Sequence, residues 1–145
     1  MKITLSSHSE DLHISAIQKM LSKVYWSPNI TENEIVKGIK NSALAVGAYI
    51  ESGDQIGFLR IVSDKVRFAY MMDVVVREDY RRQGIGRKMV DYALAHPELR
   101  DVYQWLLITA DAHGVYERCG FEALKNPERW MSIMKPRPAR PDFTG

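Results

Sequence analysis

The chain has 145 residues, 46% hydrophobic and 26% charged, with a formal net charge of +2. That is enough for one domain with its own core, and the near-neutral balance gives no global pull toward nucleic acid or membrane. The single cysteine, Cys119, excludes an internal disulfide. The start MKITLSSHSEDLH has no apolar h-region, and no run approaches about 18 apolar residues, so the expectation is a soluble cytoplasmic domain.

Lys2 to Leu5 reads as a short first strand. Ser7, His8, Ser9 and Glu10 match a Ser-x-x-Glu capping box, which predicts a helix opening there. Ile17, Met20, Leu21 and Val24 continue it at helical spacing, to an end near Tyr25 and Trp26. A second box, Thr31 to Glu34, opens another helix with Ile35 and Ile39 on one face. The period then changes. Leu44, Val46, Ala48 and Ile50 alternate, a turn follows at 51–54, and Gln55 to Val62 returns as the second arm of a hairpin. From Val66 to Val76 alternate residues are again apolar, the longest strand signal in the chain.

RRQGIGRK, residues 81–88, follows within a few residues. Gly86, Met89, Val90, Ala93 and Leu94 recur at helical spacing, so a helix begins inside this stretch and ends at His96-Pro97. Trp105 to Ile108 predicts a strand buried on both faces. Ala112, Val115, Tyr116 and Cys119 mark a short helix stopped by Gly120. Phe121 to Leu124 and Trp130 to Met134 read as two closing strands. The domain is expected over 1–135, with the Pro-rich residues 136–145 as a stiff tail outside the core. The order β-α-α-β-β-β-α-β-α-β-β implies an α+β domain, its mixed, mostly antiparallel sheet of six to seven strands flanked by helices.

A strand, a glycine-rich turn and a helix start make an anion site, because the first amides of a helix are unpaired and its dipole is positive there. Arg81, Arg82, Arg87 and Lys88 add charge. The stretch lacks the Walker A pattern, and Met89 stands where the dinucleotide pattern needs its third glycine. A plain tight turn with solvated arginines is the competing reading. So is a nucleic-acid surface using Arg77, Arg81, Arg82, Arg87 and Lys88, though only Tyr80 interleaves them.

Arg81-x-x-Gly84-x-Gly86 resembles the signature of the GNAT superfamily of acyl-CoA-dependent N-acetyltransferases. DVVVRE just before it and AHGVYERCGF about thirty residues later support the resemblance at the family's spacing. It covers nearly the whole chain and implies the GNAT fold with acetyl-CoA as co-substrate. By that resemblance the amides of Gln83, Gly84, Ile85, Gly86 and Arg87 hold the pyrophosphate, with Arg81 and Arg82 beside them. The backbone of Val74, Val75 and Val76 pairs with the pantetheine arm. Tyr116 stands at the general-acid position, and Tyr25 and Trp26 line the acceptor pocket. Thr109 replaces an asparagine that many members carry, and so leaves that contact open.

Asp73 is the only carboxylate within the long strand. Strict alternation places it on a face with Ala69, Met71 and Val75, where apolar neighbours favour a base of raised pKa. It is the candidate base or ammonium anchor, with a water path as the alternative. Arg60 is expected to face solvent. Cys119, at a helix C-terminus, is disfavoured as a nucleophile. The four histidines show no ligand spacing, so no metal is expected. The reading is an acetyltransferase acting by direct attack of a primary amine, small-molecule or peptide. A non-catalytic acyl-CoA-binding module is the alternative, and the apolar C-terminal strands could support a homodimer.

Overall fold

A computed structural model describes all 145 residues. Five strands form one sheet in the order β1-β2-β3-β4-β5: β1 is Thr4–Ser6, β2 Leu44–Tyr49, β3 Gln55–Ser63, β4 Phe68–Val76 and β5 Gln104–Leu106. The first three pairings are antiparallel and β4–β5 is parallel. Four α-helices accompany it: α1 (Ile14–Leu21), α2 (Glu32–Lys40), α3 (Ile85–Leu94) and α4 (His113–Glu117). No helix is long and apolar enough to cross a membrane.

The sheet separates two apolar layers. On one face Ile85, Met89, Val90 and Ala93 of α3 pack on Val46, Leu59, Ile61, Ala69 and Met71. Gly57 permits this close approach, since a Cβ there would stand 3.0 Å from the Met89 side chain. On the other face Ile17, Met20 and Leu21 of α1 and Ile35 of α2 pack on Phe58 and Val75. The Thr31–Glu34 capping box opens α2 as expected, with Thr31 Oγ1 accepting from the Glu34 amide at 3.2 Å.

The structure departs from the sequence expectations in three places. Ser7–Glu10 does not open α1. Residues Ser9–Asp11 make a single 3-10 turn, and α1 starts at Ile14, where the His13 amide donates to Gln55 Oε1 at 2.8 Å. The Ser7 hydroxyl is engaged instead by Tyr92 and His96, at 3.2 and 3.3 Å. The sheet has five strands, not six or seven: Phe121 to Leu124 and Trp130 to Met134 pair with nothing. β5 is consequently an edge strand of three residues, and Ile108 is 83% exposed where a doubly covered strand was expected. Residues 136–145 belong to neither apolar layer and lie over the α1–α2 connection. Arg140 pairs with Glu34 at 2.7 Å and donates to the Pro28 carbonyl, Arg137 donates to the Tyr25 carbonyl, and the Phe143 amide donates to Asn29 Oδ1.

Candidate active site

β4 carries the site because its two ends have different neighbours. Its parallel pairing with β5 is confined to Phe68–Gln104, Ala69–Trp105 and Tyr70–Leu106. From Met71 to Val76 it has no partner on that side, and a wedge opens between the strands.

One extra residue in β4 then changes which side chains face where. Arg60 pairs with Met72 and Phe58 with Val75, so Leu59 alone stands opposite both Asp73 and Val74. This is a β-bulge, and Asp73 takes the left-handed conformation typical of such a position, with φ of 59°. Alternation is reset across it. Ala69 and Met71 pack toward α3, and so do Val74 and Val76, whereas Val75 packs toward α1. Asp73 therefore does not share a face with Ala69 and Met71. Its carboxylate, 8% exposed, accepts from Arg60 Nε at 2.7 Å and from Trp26 Nε1 at 3.1 Å. Arg60 does not face solvent either: its side chain is 18% exposed and also donates to the Ser42 hydroxyl. Ionic and polar partners thus stand where apolar neighbours were expected.

The chain leaves β4 through a one-turn 3-10 helix at Glu78–Tyr80 and enters α3 at Gly84, the N-cap, with φ of 77°. No side chain caps this helix. The first helical bond is from the Lys88 amide to the Gly84 carbonyl, and the amides of Arg82, Gln83, Gly84, Ile85, Gly86 and Arg87 donate to no acceptor in the protein. All of these residues but Gln83 border a cavity of about 570 Å³, walled also by Val76, Tyr80, Val115 and Arg118. Such a run of free amides at a dipole's positive end, with guanidinium groups around it, can donate hydrogen bonds to and charge-pair with an anion such as phosphate, since no side chain occupies these groups. Arg81 lines the cavity too, but its Nε is held by the Val76 carbonyl at 3.0 Å.

The opposite wall is α4. Tyr116 is packed edge-on against Phe121 with ring centres 6.0 Å apart. Its hydroxyl makes no protein hydrogen bond within the chain's network. Burial pushes its pKa up to about 12, with the nearby Tyr25, Cys119 and Asp111 adding to the effect. Thr109 caps the turn into α4, its Oγ1 accepting from the Ala112 amide at 3.0 Å. Burial and a hydrogen bond with Asp91 hold the Cys119 thiol up, which keeps it a poor nucleophile. No cluster of three His, Cys, Asp or Glu side chains suits a metal ion.

Tyr25 and Trp26 bridge the mouth of the wedge. The Tyr25 hydroxyl accepts from the Ala110 amide at 3.1 Å, beyond β5, and Trp26 reaches Asp73 on β4. Their rings meet edge to face at 5.1 Å.

The acetyltransferase (GNAT) domain pattern matches residues 42–123, more than half of the chain. The chain belongs to the GNAT family. A solved GNAT-family protein from Xanthomonas campestris pv. campestris is 32% identical, covers 94% of this chain and 95% of its own, and superposes with a TM-score of 0.87. Glucosamine-6-phosphate N-acetyltransferase from Arabidopsis thaliana, 17% identical over 94% of this chain and 99% of its own, shares the fold with a TM-score of 0.69. A histone acetyltransferase from Glycine max is 27% identical over 129 residues, 81% of this chain. The chain spans only 55% of that relative's length. GNAT proteins typically use acetyl-CoA.

The fold brings many of the residues singled out in the sequence around one wedge: residues 74–76 on its open strand edge, 81–87 at its base, Tyr25 and Trp26 across its mouth. Tyr116 and Thr109 line a separate groove with β5 and residues 121–124. Tyr80, Val115 and Arg118 also wall the cavity at the glycine turn and were not among the expected site residues. Arg118 carried a signal, a basic residue beside Tyr116 in YERCGF, that spacing alone does not aim at the glycine turn. Arg60 carried none, because its partner arrives through the bulge.

Proposed function

We propose that the protein is an N-acetyltransferase that moves an acetyl group from acetyl-CoA to a primary amine by direct attack, without an acyl-enzyme. The observation that carries this is the run of unpaired amides from Arg82 to Arg87 around a basic cavity, beside the open edge of β4. The residues fit the co-substrate. Gly86 presents backbone to the cavity, and a Cβ there would meet only Val76 Cγ2 at 3.9 Å. The amides of 83–87, with Arg82, Arg87 and Arg118, would hold the pyrophosphate. The free β4 edge at Val74 to Val76 would hold the pantetheine amides in strand fashion.

Bound acetyl-CoA supplies the thioester acyl group; the chain supplies position and protons. The bulge turns the Val74 segment away from regular pairing with β3, which frees a backbone N–H to polarise a carbonyl in the wedge. Tyr116 keeps its proton on Oη throughout the neutral range, because its pKa stands at about 12. Burial also makes it a weaker acid than a free phenol. Its contribution is therefore a hydrogen bond to a departing thiolate, with the proton following. Asp73 is committed to Arg60 and Trp26. Its role in this reading is to hold Trp26 at the acceptor mouth, and the ammonium proton leaves through water.

Acetyl-CoA with a panel of amines (amino acids, polyamines, amino sugars and N-terminal or lysine peptides), read by free thiol release, tests the proposal. Amine-dependent thiol release with at least one class is the expected result. Acetyl-CoA binding with no thiol release across the panel would favour the non-catalytic module.

A further inference from the structure

Residues 136–143 grip the connection that carries Tyr25 and Trp26. Arg137 Nη1 donates to the Tyr25 carbonyl at 3.2 Å, Arg140 Nη1 to the Pro28 carbonyl at 2.9 Å, and the Phe143 amide to Asn29 Oδ1 at 3.0 Å. The Tyr25 and Pro28 carbonyls receive no backbone donor, so the tail supplies their only hydrogen bonds within the protein.

Arg140 is the centre of the grip. Its Nε and Nη2 donate to the two Glu34 oxygens at 2.9 and 2.7 Å. Such forked pairing fixes orientation as well as distance. The same Glu34 carboxylate accepts from the Thr31 amide at 3.1 Å, in the box that opens α2. One guanidinium therefore ties the middle of the connection to the helix that follows it. Pro136, Pro138 and Pro141 stiffen the tail between these contacts, so little chain entropy opposes its docking.

The connection has little regular structure of its own. Residues 22–31 form neither helix nor strand. Inside them the Ser27, Asn29 and Ile30 amides donate to the Val24, Ser22 and Ser27 carbonyls at 3.3, 3.3 and 3.2 Å. On the wedge side the two rings are fixed at their tips, Tyr25 by the Ala110 amide and Trp26 by Asp73. Tyr25 is thus held from two directions, its hydroxyl across the wedge and its carbonyl by Arg137. Apolar cover is non-directional, whereas hydrogen bonds aimed at backbone carbonyls fix where a loop sits.

We propose that residues 136–143 are a strap that sets the Tyr25–Trp26 loop at the acceptor mouth, with Arg137 and Arg140 as positioning residues for the acceptor amine. The acceptor's entry at this mouth rests on the acetyltransferase reading; the grip of the tail on the loop does not. No tail residue borders the cavity at the glycine turn. The strap therefore acts on the acceptor and leaves the co-substrate alone.

The full-length double variant Arg137→Ala/Arg140→Ala tests this by backbone hydrogen exchange and by kinetics with the amine of the panel that releases thiol fastest. The Ser27, Asn29, Ile30 and Ala110 amides should exchange faster, while β2, β3 and β4 stay as protected as in the wild type. The KM for the amine should rise about 5-fold, equivalent to about 1 kcal/mol, with the KM for acetyl-CoA unchanged. A merely structural tail would lower stability without splitting the two KM values. Unchanged exchange over 22–31 and at Ala110 overturns the strap. Faster exchange with an unaltered amine KM overturns its role toward the acceptor, and so does an equal rise in both KM values. Wild-type protein that releases no thiol with any amine overturns the acetyltransferase reading instead, and the exchange result still decides whether the tail holds the loop.

Discussion

The two sides of β4 are built from different materials. Toward α3 the chain offers backbone: unpaired amides over six consecutive residues, set by one left-handed glycine and a helix start without a side-chain cap. Toward α1 it offers side chains gathered across long stretches of sequence, with Trp26 reaching Asp73 47 residues away. Arg60 joins them through a bulge. The first arrangement needs only a local conformation, so it tolerates many side chains and suits a co-substrate common to a family. The second depends on each partner, so it is the part free to differ between acceptors.

Substitutions should separate the two sides. The largest stability effect is expected from Asp73→Ala, which leaves Arg60 buried without its counterion at a cost of about 3 kcal/mol. Denaturant unfolding should show it, while the affinity for acetyl-CoA changes little. A loss of acetyl-CoA affinity equal to the loss of acceptor turnover would mean that the sides are not separate.

Tyr116→Phe should lower kcat about 100-fold, the ordinary scale for a positioned proton donor, and leave the KM for acetyl-CoA unchanged. Because burial puts the wild-type phenol at about 12, the alkaline limb should not fall until well above pH 10. The same raised value adds stability that is complete below about pH 10, the ordinary phenol value, and lost as pH rises through the folded value. A wild-type rate falling between pH 8 and 9 would remove Tyr116 from its assigned role.

On the backbone side, Gly84→Ala should cost roughly 1–2 kcal/mol, because a Cβ at φ of 77° is strained. No atom lies within 4 Å of that position, so crowding plays no part. The smallest effect belongs to the tail. The Arg140 hydrogen bond holds the Glu34 carboxyl below its ordinary 4.5. This pair therefore stabilises above that pH and loses its contribution as pH falls through the lowered value. Solvent screening limits the loss to at most about 1 kcal/mol. A shift in the exchange rate of residues 136–143 over that acid range, absent in Arg140→Ala, is the readout.

The same contrast decides what could be read from the residues alone. RRQGIGRK announced the left-handed glycine turn and the helix start behind it, because glycine conformation and helix polarity are local. The short helix around Tyr116 and its stop at Gly120 were legible for the same reason; Gly120 takes φ of 102°. Asp73 was misplaced because a period of two cannot register one inserted residue. Ser7 failed as a cap because its hydroxyl is claimed by Tyr92 and His96, distant partners that a four-residue motif cannot see. Phe121 to Leu124 and Trp130 to Met134 were strand-like by composition, but composition names no partner, and the chain supplies none within itself.

The claim that the glycine turn holds the co-substrate is tested most directly by calorimetric titration of acetyl-CoA into the wild-type protein and Gly86→Leu. A Cβ at 86 would meet only Val76 Cγ2 at 3.9 Å, and the position borders the cavity, so the variant should fold with its side chain in that space. Saturable binding to the wild type, weakened about 100-fold or more in the variant, is predicted from the loss of backbone approach. Equal affinity in a folded variant would contradict the assignment.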